Sequence, residues 1–368
     1  MLAAILLEAG LRIFNPLELR LQGDRINLPR NVEYKMTDLN SEGNQTVVHR
    51  KNSLGFRGPE LPEDQDNHYI IFTVGGSTTE VSRIDDSATW SALLSANLRS
   101  RFSGVWLNNA GLDGHSTYGH KLLLKEYILP IGPDMIMFLI GVNDLHREDL
   151  RNIDDAGIVK NANSFTAKIY FLANRLETVN LALAGWRYYL ASKKKLIYTQ
   201  LDLSKAKLQP EDIDFDISPL QQAEKPYVEA YYGRVVELIG ISKGAGATPV
   251  FMTQPLFYGC ETDPSSGIEF KKLSVTTLKL GLKSACFFWQ RMELYNDALR
   301  RACDEHDVHL IDVAKKMPHD SQLYYDYLHH NKLGQQELAR IVSKDMLLYF
   351  EQQPEKMKIT KLQPTNIE

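Results

Sequence analysis

Tyr69-Ile70-Ile71-Phe72-Thr73-Val74-Gly75-Gly76-Ser77-Thr78-Thr79 is the stretch on which the fold turns. Its β-branched and aromatic residues favour a strand up to Val74, and two glycines then allow a tight turn in which backbone N–H groups approach a ligand. In open α/β sheets ligands collect at the carboxyl ends of strands, so Ser77 stands where a serine nucleophile belongs. The same residues also read as an ordinary loop capping the next helix. The choice rests on whether distant parts of the chain supply partners.

Each of four later apolar runs ends near a polar or glycine-containing turn. Val105–Asn109 breaks into Ala110-Gly111-Leu112-Asp113-Gly114. Met135–Ile140 is apolar throughout, as a strand covered on both faces should be, and breaks into Gly141-Val142-Asn143-Asp144. Thr248–Thr253 ends at Gln254-Pro255, and beyond Val308–Val313 comes Asp326-Tyr327-Leu328-His329-His330-Asn331. Helical stretches separate most of these runs. The order predicts an α/β fold, a three-layer doubly wound (flavodoxin-like) sheet of about five parallel strands with its polar clusters on one rim.

These residues resemble the SGNH or GDSL-type serine hydrolases. Ser77, Gly111, Asn143 and His329 fall in the order of that family's four signature blocks, and Asp326 stands three residues before the histidine, as in the family. The resemblance runs from Asn52 to Phe350, and it is the four blocks in register that make it specific. Asn52-Ser53-Leu54-Gly55-Phe56-Arg57-Gly58 is similar to the lead-in of a bacterial, membrane-associated branch. One departure is plain: Gly76 replaces the aspartate that usually precedes the serine. That aspartate is not a triad member in the family, so the change bears on the sub-family and not on the chemistry. The resemblance implies an oxyanion hole built from the Ser77 and Gly111 backbone N–H groups and the Asn143 side-chain amide, with no cofactor and no metal.

Elementary chemistry agrees. A serine hydroxyl needs a base to take its proton, a group to hold that base, and donors for the developing oxyanion. His329 supplies a base, and Asp326 is close enough on one turn to accept the ring N–H and fix the tautomer. Gly75-Gly76-Ser77-Thr78-Thr79 lacks the closing glycine of a Gly-x-Ser-x-Gly elbow, which argues against the α/β-hydrolase fold.

Several neighbours have plainer readings. His330 adjoins His329, but the three-residue offset from Asp326 selects His329. Asn143 and Asp144 also read as a turn, or Asp144 as a helix cap. Asp113 and His115 are candidates to line the pocket, against the plainer reading of solvated loop residues. Gln254 ends a strand and is a candidate substrate contact. Arg57 is a candidate for a substrate carboxylate or phosphate, with a salt bridge anchoring the N-terminal extension as the favoured expectation. No His-x-x-x-His or Cys-x-x-Cys spacing suggests a metal site.

At 368 residues the chain exceeds a minimal five-stranded core. The expected organisation is an apolar N-terminus over residues 1–16, an irregular extension of short strands and loops over 17–67, a hydrolase domain over 68–350 with an insertion at 147–226, and a polar tail over 351–368. Within the insertion, Ser164–Leu196 reads as one or two helices that cap the site or pack on the core, and Lys205–Lys225 as an exposed loop. Helices are expected over Tyr227–Lys243 and Phe287–His306, with an irregular stretch from Gln254 to Trp289. Phe257, Tyr258, Phe287, Phe288 and Trp289 are candidates for an acyl or sugar platform, against a core reading. A net charge of −4 argues against a nucleic-acid partner. Of the cysteines Cys260, Cys286 and Cys303, one pair has a partner available and one thiol does not, which leaves the redox compartment open.

Met1–Phe14 opens with seven apolar residues before Glu8, too short to span a bilayer, which takes about 20. It is similar to the tail of a membrane anchor in the branch named above, so the expectation is tethering through a missing or truncated anchor and an extracytoplasmic place in a bacterium. A short amphipathic helix packed on the protein is the competing reading. For function, the expectation is a serine esterase removing a small acyl group from an alcohol or a carbohydrate. An O-acyltransferase acting on a glycan and a catalytically silent binding module are the alternatives.

Overall fold

In a computed structural model of the chain, the strand beginning at Tyr69 lies inside a parallel sheet, second from one edge. The structure describes residues 2–13, 21–22, 25–37, 46–146, 176–179, 181–182, 185, 202–212, 216–277 and 281–352. Strands β1 (Tyr69–Gly75), β2 (Val105–Asn109), β3 (Met135–Leu139), β4 (Thr248–Met252) and β5 (His309–Ile311) pair in the order β2-β1-β3-β4-β5. Every pairing is parallel, the order of a flavodoxin-like doubly wound sheet. The registers Gly75↔Leu139 and Leu139↔Met252 bring the ends of β1, β3 and β4 level, so the loops after them open on one rim.

The strands are apolar because both faces are covered. Ile70, Phe72, Val74, Ile136, Phe138 and Phe251 point into one core layer, and Ile71, Met137, Leu139, Val250 and Met252 into the other, following the two-residue period of a strand. Eight helices matter here: α1 (Leu2–Ile13), α2 (Ser77–Glu80), α3 (Trp90–Arg99), α4 (Thr117–Leu123), α5 (Ser218–Gly244), α6 (Ala285–Glu305), α7 (Val313–Lys316) and α8 (Lys332–Gln352). Tyr231 and Leu238 of α5 and Tyr295 and Leu299 of α6 close the first layer. Leu94 and Leu98 of α3 and Leu338, Val342 and Met346 of α8 close the second.

Several expectations need correction. The helix predicted over Tyr227–Lys243 starts nine residues earlier, so the Lys205–Lys225 stretch is loop only in part. Pro219 lies in its first turn, where a missing N–H is harmless, and Pro226 is carried inside the helix because Leu220, Tyr231, Val235 and Leu238 bury one face. The expected irregular stretch before Trp289 contains an antiparallel hairpin, Ser274–Thr277 with Gly281–Ser284. Cys260 and Cys286 form a disulfide across a separation of 26 residues, and Cys303 is free and buried. Closing a loop of that size contributes about 3 kcal/mol. The N-terminal extension carries a hairpin, Val32–Thr37 with Thr46–Lys51. Most of the expected Ser164–Leu196 helices and the tail after Gln352 lie outside the described residues. Among the described residues no helix is long and apolar enough to cross a membrane.

Candidate active site

Ser77 is the first residue of α2, directly beyond the carboxyl end of β1. A Cβ at Gly76 would lie 2.2 Å from Asn143 Nδ2, so the Asn143 side chain is tucked against this glycine. The loop after β5 brings His329 across, and its Nε2 lies 2.7 Å from Ser77 Oγ. The other ring nitrogen, Nδ1, lies 2.7 Å from Asp326 Oδ2. Asp326 Oδ1 accepts from the Leu328 and His329 backbone N–H groups at 2.8 and 2.7 Å, so the loop orients its own carboxylate. The Tyr325 ring stacks on the His329 ring with 5.5 Å between centroids and 7° between planes. Burial, followed by the nearby Asp326 carboxylate, pushes the Tyr325 phenol above its ordinary range. An imidazole held between a carboxylate and a hydroxyl in this way is placed to accept the hydroxyl proton.

His330 points elsewhere. It is buried against Tyr324, and desolvation, with the neighbouring His329 as the second cause, lowers its pKa to about 3. Asp144 is buried too: its carboxylate accepts from Thr117 N at the start of α4 and pairs with Arg234 at 3.2 Å. It therefore caps a helix, but one from a different segment.

The remaining expected site residues divide. Asn143 Nδ2 donates to the His115 carbonyl at 3.0 Å, which ties the end of β3 to the loop after β2 beside Gly76. The Gly111 N–H does not match its expected role, because it donates to Asn109 Oδ1 at 2.8 Å. Gly111 is required for packing instead: a Cβ there would lie 2.3 Å from Glu80 N. Gln254 is fully buried behind the Ser77 turn, donating to the Pro255 carbonyl and accepting from Thr78 Oγ1, and presents no surface to a substrate. Arg57 is buried and spends its guanidinium on the Glu80, Val81 and Ile84 carbonyls and on Asp86, so the anchoring reading holds and the substrate reading does not. Asp113 is half-buried on the rim, with its backbone N–H on Glu80 Oε2. The His115 side chain is buried and not solvated.

Of the candidate aromatic platform, Phe257 and Phe287 are core, while Tyr258 stacks on Tyr327, a residue 51% exposed. Sequence reading missed Asn109, Glu80 and Lys51. Glu80 carries one faint signal, a carboxylate three residues after the serine in an otherwise uncharged turn. Among the described residues no group of three or more His, Cys, Asp or Glu side chains is arranged to hold a metal ion.

A model of the GDSL-like Lipase/Acylhydrolase family matches residues 73–337. Among solved structures, Axe2, an acetylxylan esterase from Geobacillus stearothermophilus, aligns at 15% identity and a TM-score of 0.42, covering 76% of this chain and 94% of that one. LAE5, an alpha/beta hydrolase enzyme from the metagenome of Lake Arreo, Spain, aligns at 16% identity and a TM-score of 0.41, covering 75% and 94%. No curated protein matches. The family match runs from within β1 to within α8 and so takes in Ser77, Asn143, Asp326 and His329 together; the chain belongs to the GDSL-like lipase/acylhydrolase family of SGNH-type ester hydrolases.

Proposed function

We propose that this hydrolase removes a small, acetyl-like acyl group from an alcohol or carbohydrate ester through an acyl-enzyme on Ser77. The observation that carries the reading is the continuous hydrogen-bonded chain from Asp326 through His329 to Ser77, 2.7 Å at each link. Ser77 Oγ attacks the ester carbonyl carbon while its proton passes to His329 Nε2. Asp326 holds the tautomer and stabilises the imidazolium. Collapse of the tetrahedral intermediate breaks the bond to the alcohol, which leaves with the proton from His329. Water then attacks the acyl-enzyme with His329 again as base, and the carboxylic acid departs.

For the oxyanion, the Ser77 N–H at the start of α2 and the Asn143 amide are the supported donors. With the Gly111 N–H on Asn109, the third donor in this proposal is Gly114, exposed on the same loop and adjacent to His115, whose carbonyl receives Asn143. The exposed Tyr327 ring, two residues before His329, supports a carbohydrate or other alcohol with an apolar face, since such faces pack on aromatic rings. As part of the same proposal, the Cys260–Cys286 bridge supports an oxidising, extracytoplasmic location. Alkylation of intact cells before lysis should leave both cysteines protected.

The test is labelling with a fluorophosphonate probe, with Ser77→Ala as control, alongside acetate release from acetylated sugars. Expected are Ser77-dependent labelling and free acetate. Transfer of the acyl group to an added glycan would favour the O-acyltransferase, and absence of Ser77-dependent labelling would favour a silent binding module.

A further inference from the structure

Lys51 ends the hairpin of the N-terminal extension, and its Nζ lies 2.9 Å from Glu80 Oε1. Both side chains are withdrawn from solvent, at 3% and 10% exposure. A buried charge is costly unless paired and hydrogen-bonded, and an apolar pair would pack as well, so the retained charges call for a reason. The other carboxylate oxygen supplies one: Glu80 Oε2 accepts the Asp113 backbone N–H at 2.5 Å. Ionised acceptors make the short, strong class of hydrogen bond.

The carboxylate therefore ties the last residue of the Ser77 turn to the loop after β2. Asn109 makes a second tie, donating to the Thr79 carbonyl at 2.5 Å and accepting the Gly111 N–H at 2.8 Å. Two residues beyond Asp113, the His115 carbonyl receives the Asn143 amide. Movement of Asp113 would carry that carbonyl, and with it the amide, away from Ser77.

We propose that Glu80, which pairs with Lys51 on one carboxylate oxygen and accepts the Asp113 N–H on the other, is a positioning residue for the oxyanion hole. This rests on the reading of Ser77 as nucleophile. The bond to the Asp113 N–H is what matters, and Lys51 occupies the other carboxylate oxygen.

The experiment compares two double variants of the full chain, both without the lysine charge: Glu80→Ala with Lys51→Met, and Glu80→Gln with Lys51→Met. The alanine pair removes the acceptor, while the glutamine pair keeps an amide oxygen for the Asp113 N–H. In the alanine pair kcat should fall about 10- to 100-fold, part of the loss seen when a whole oxyanion donor is removed. KM should stay within about threefold and the pH profile of kcat/KM should not move, because His329 is untouched. The glutamine pair should recover most of the lost kcat at a similar melting temperature. Parental kcat in the alanine pair, a loss confined to KM, or an equal loss in both pairs would overturn the proposal. Absence of Ser77-dependent fluorophosphonate labelling in the parent would instead remove the underlying reading of the nucleophile.

Discussion

In the proposed site the acid–base half lies within four residues of one loop, whereas the proposed oxyanion half is gathered from the ends of β1, β2 and β3 and from the hairpin that precedes them. Asp326 and His329 meet across a single turn, and the carboxylate is oriented by backbone N–H groups of the same turn. Asn143, His115, Gly76, Glu80 and Lys51 meet only because the sheet register levels three strand ends and a separate hairpin folds over them. The first half depends on local geometry, while the second depends on the whole fold. Substitutions in the first should strike the chemistry and spare the fold, and those in the second should give smaller, graded losses.

The largest effect should come from Asp326→Asn. It keeps the shape and the backbone acceptor but favours the wrong tautomer of His329, so kcat should drop by about 10⁴-fold with the melting temperature little changed. A loss under tenfold in steady-state kinetics would mean that the loop does not orient the imidazole. Asn143→Ala comes next, removing one donor and one tie to His115. Its kcat should fall about 10²–10³-fold on an accepted ester. A loss equal to that of Asp326→Asn would erase the contrast between the halves, and a near-parental rate would take Asn143 out of the oxyanion hole.

The smallest effect concerns His330, the buried neighbour of His329. Its pKa in the fold is lowered to about 3, chiefly by desolvation, against about 6.5 in the unfolded chain. Between those values the unfolded chain binds the proton and the fold does not. Stability is thus fully present above about pH 6.5 and declines as pH falls towards 3. His49, lowered to about 3 by the same cause, adds to the slope. Calorimetry across this range should show the melting temperature falling with pH, and His330→Phe should flatten part of the trend. A slope unchanged by His330→Phe would show that burial does not hold this histidine neutral.

Residue order alone was enough for the parts of the molecule that rest on local rules. Apolar runs of strand length fix β1 and β3, because a strand covered on both faces has to be apolar. Two glycines before Ser77 mark the turn at the end of β1, and the three-residue offset marks the Asp326–His329 contact, since each is built within one turn of chain. Tertiary packing decided the rest. It carried α5 through Pro226, against what proline does in isolation. It turned Arg57 and Gln254 inward and drew Glu80 onto a backbone N–H of another loop. It also gave the Asn109 amide to the Thr79 carbonyl, a bond that no spacing reveals, because hydrogen-bond partners between loops are set by where the sheet holds their ends.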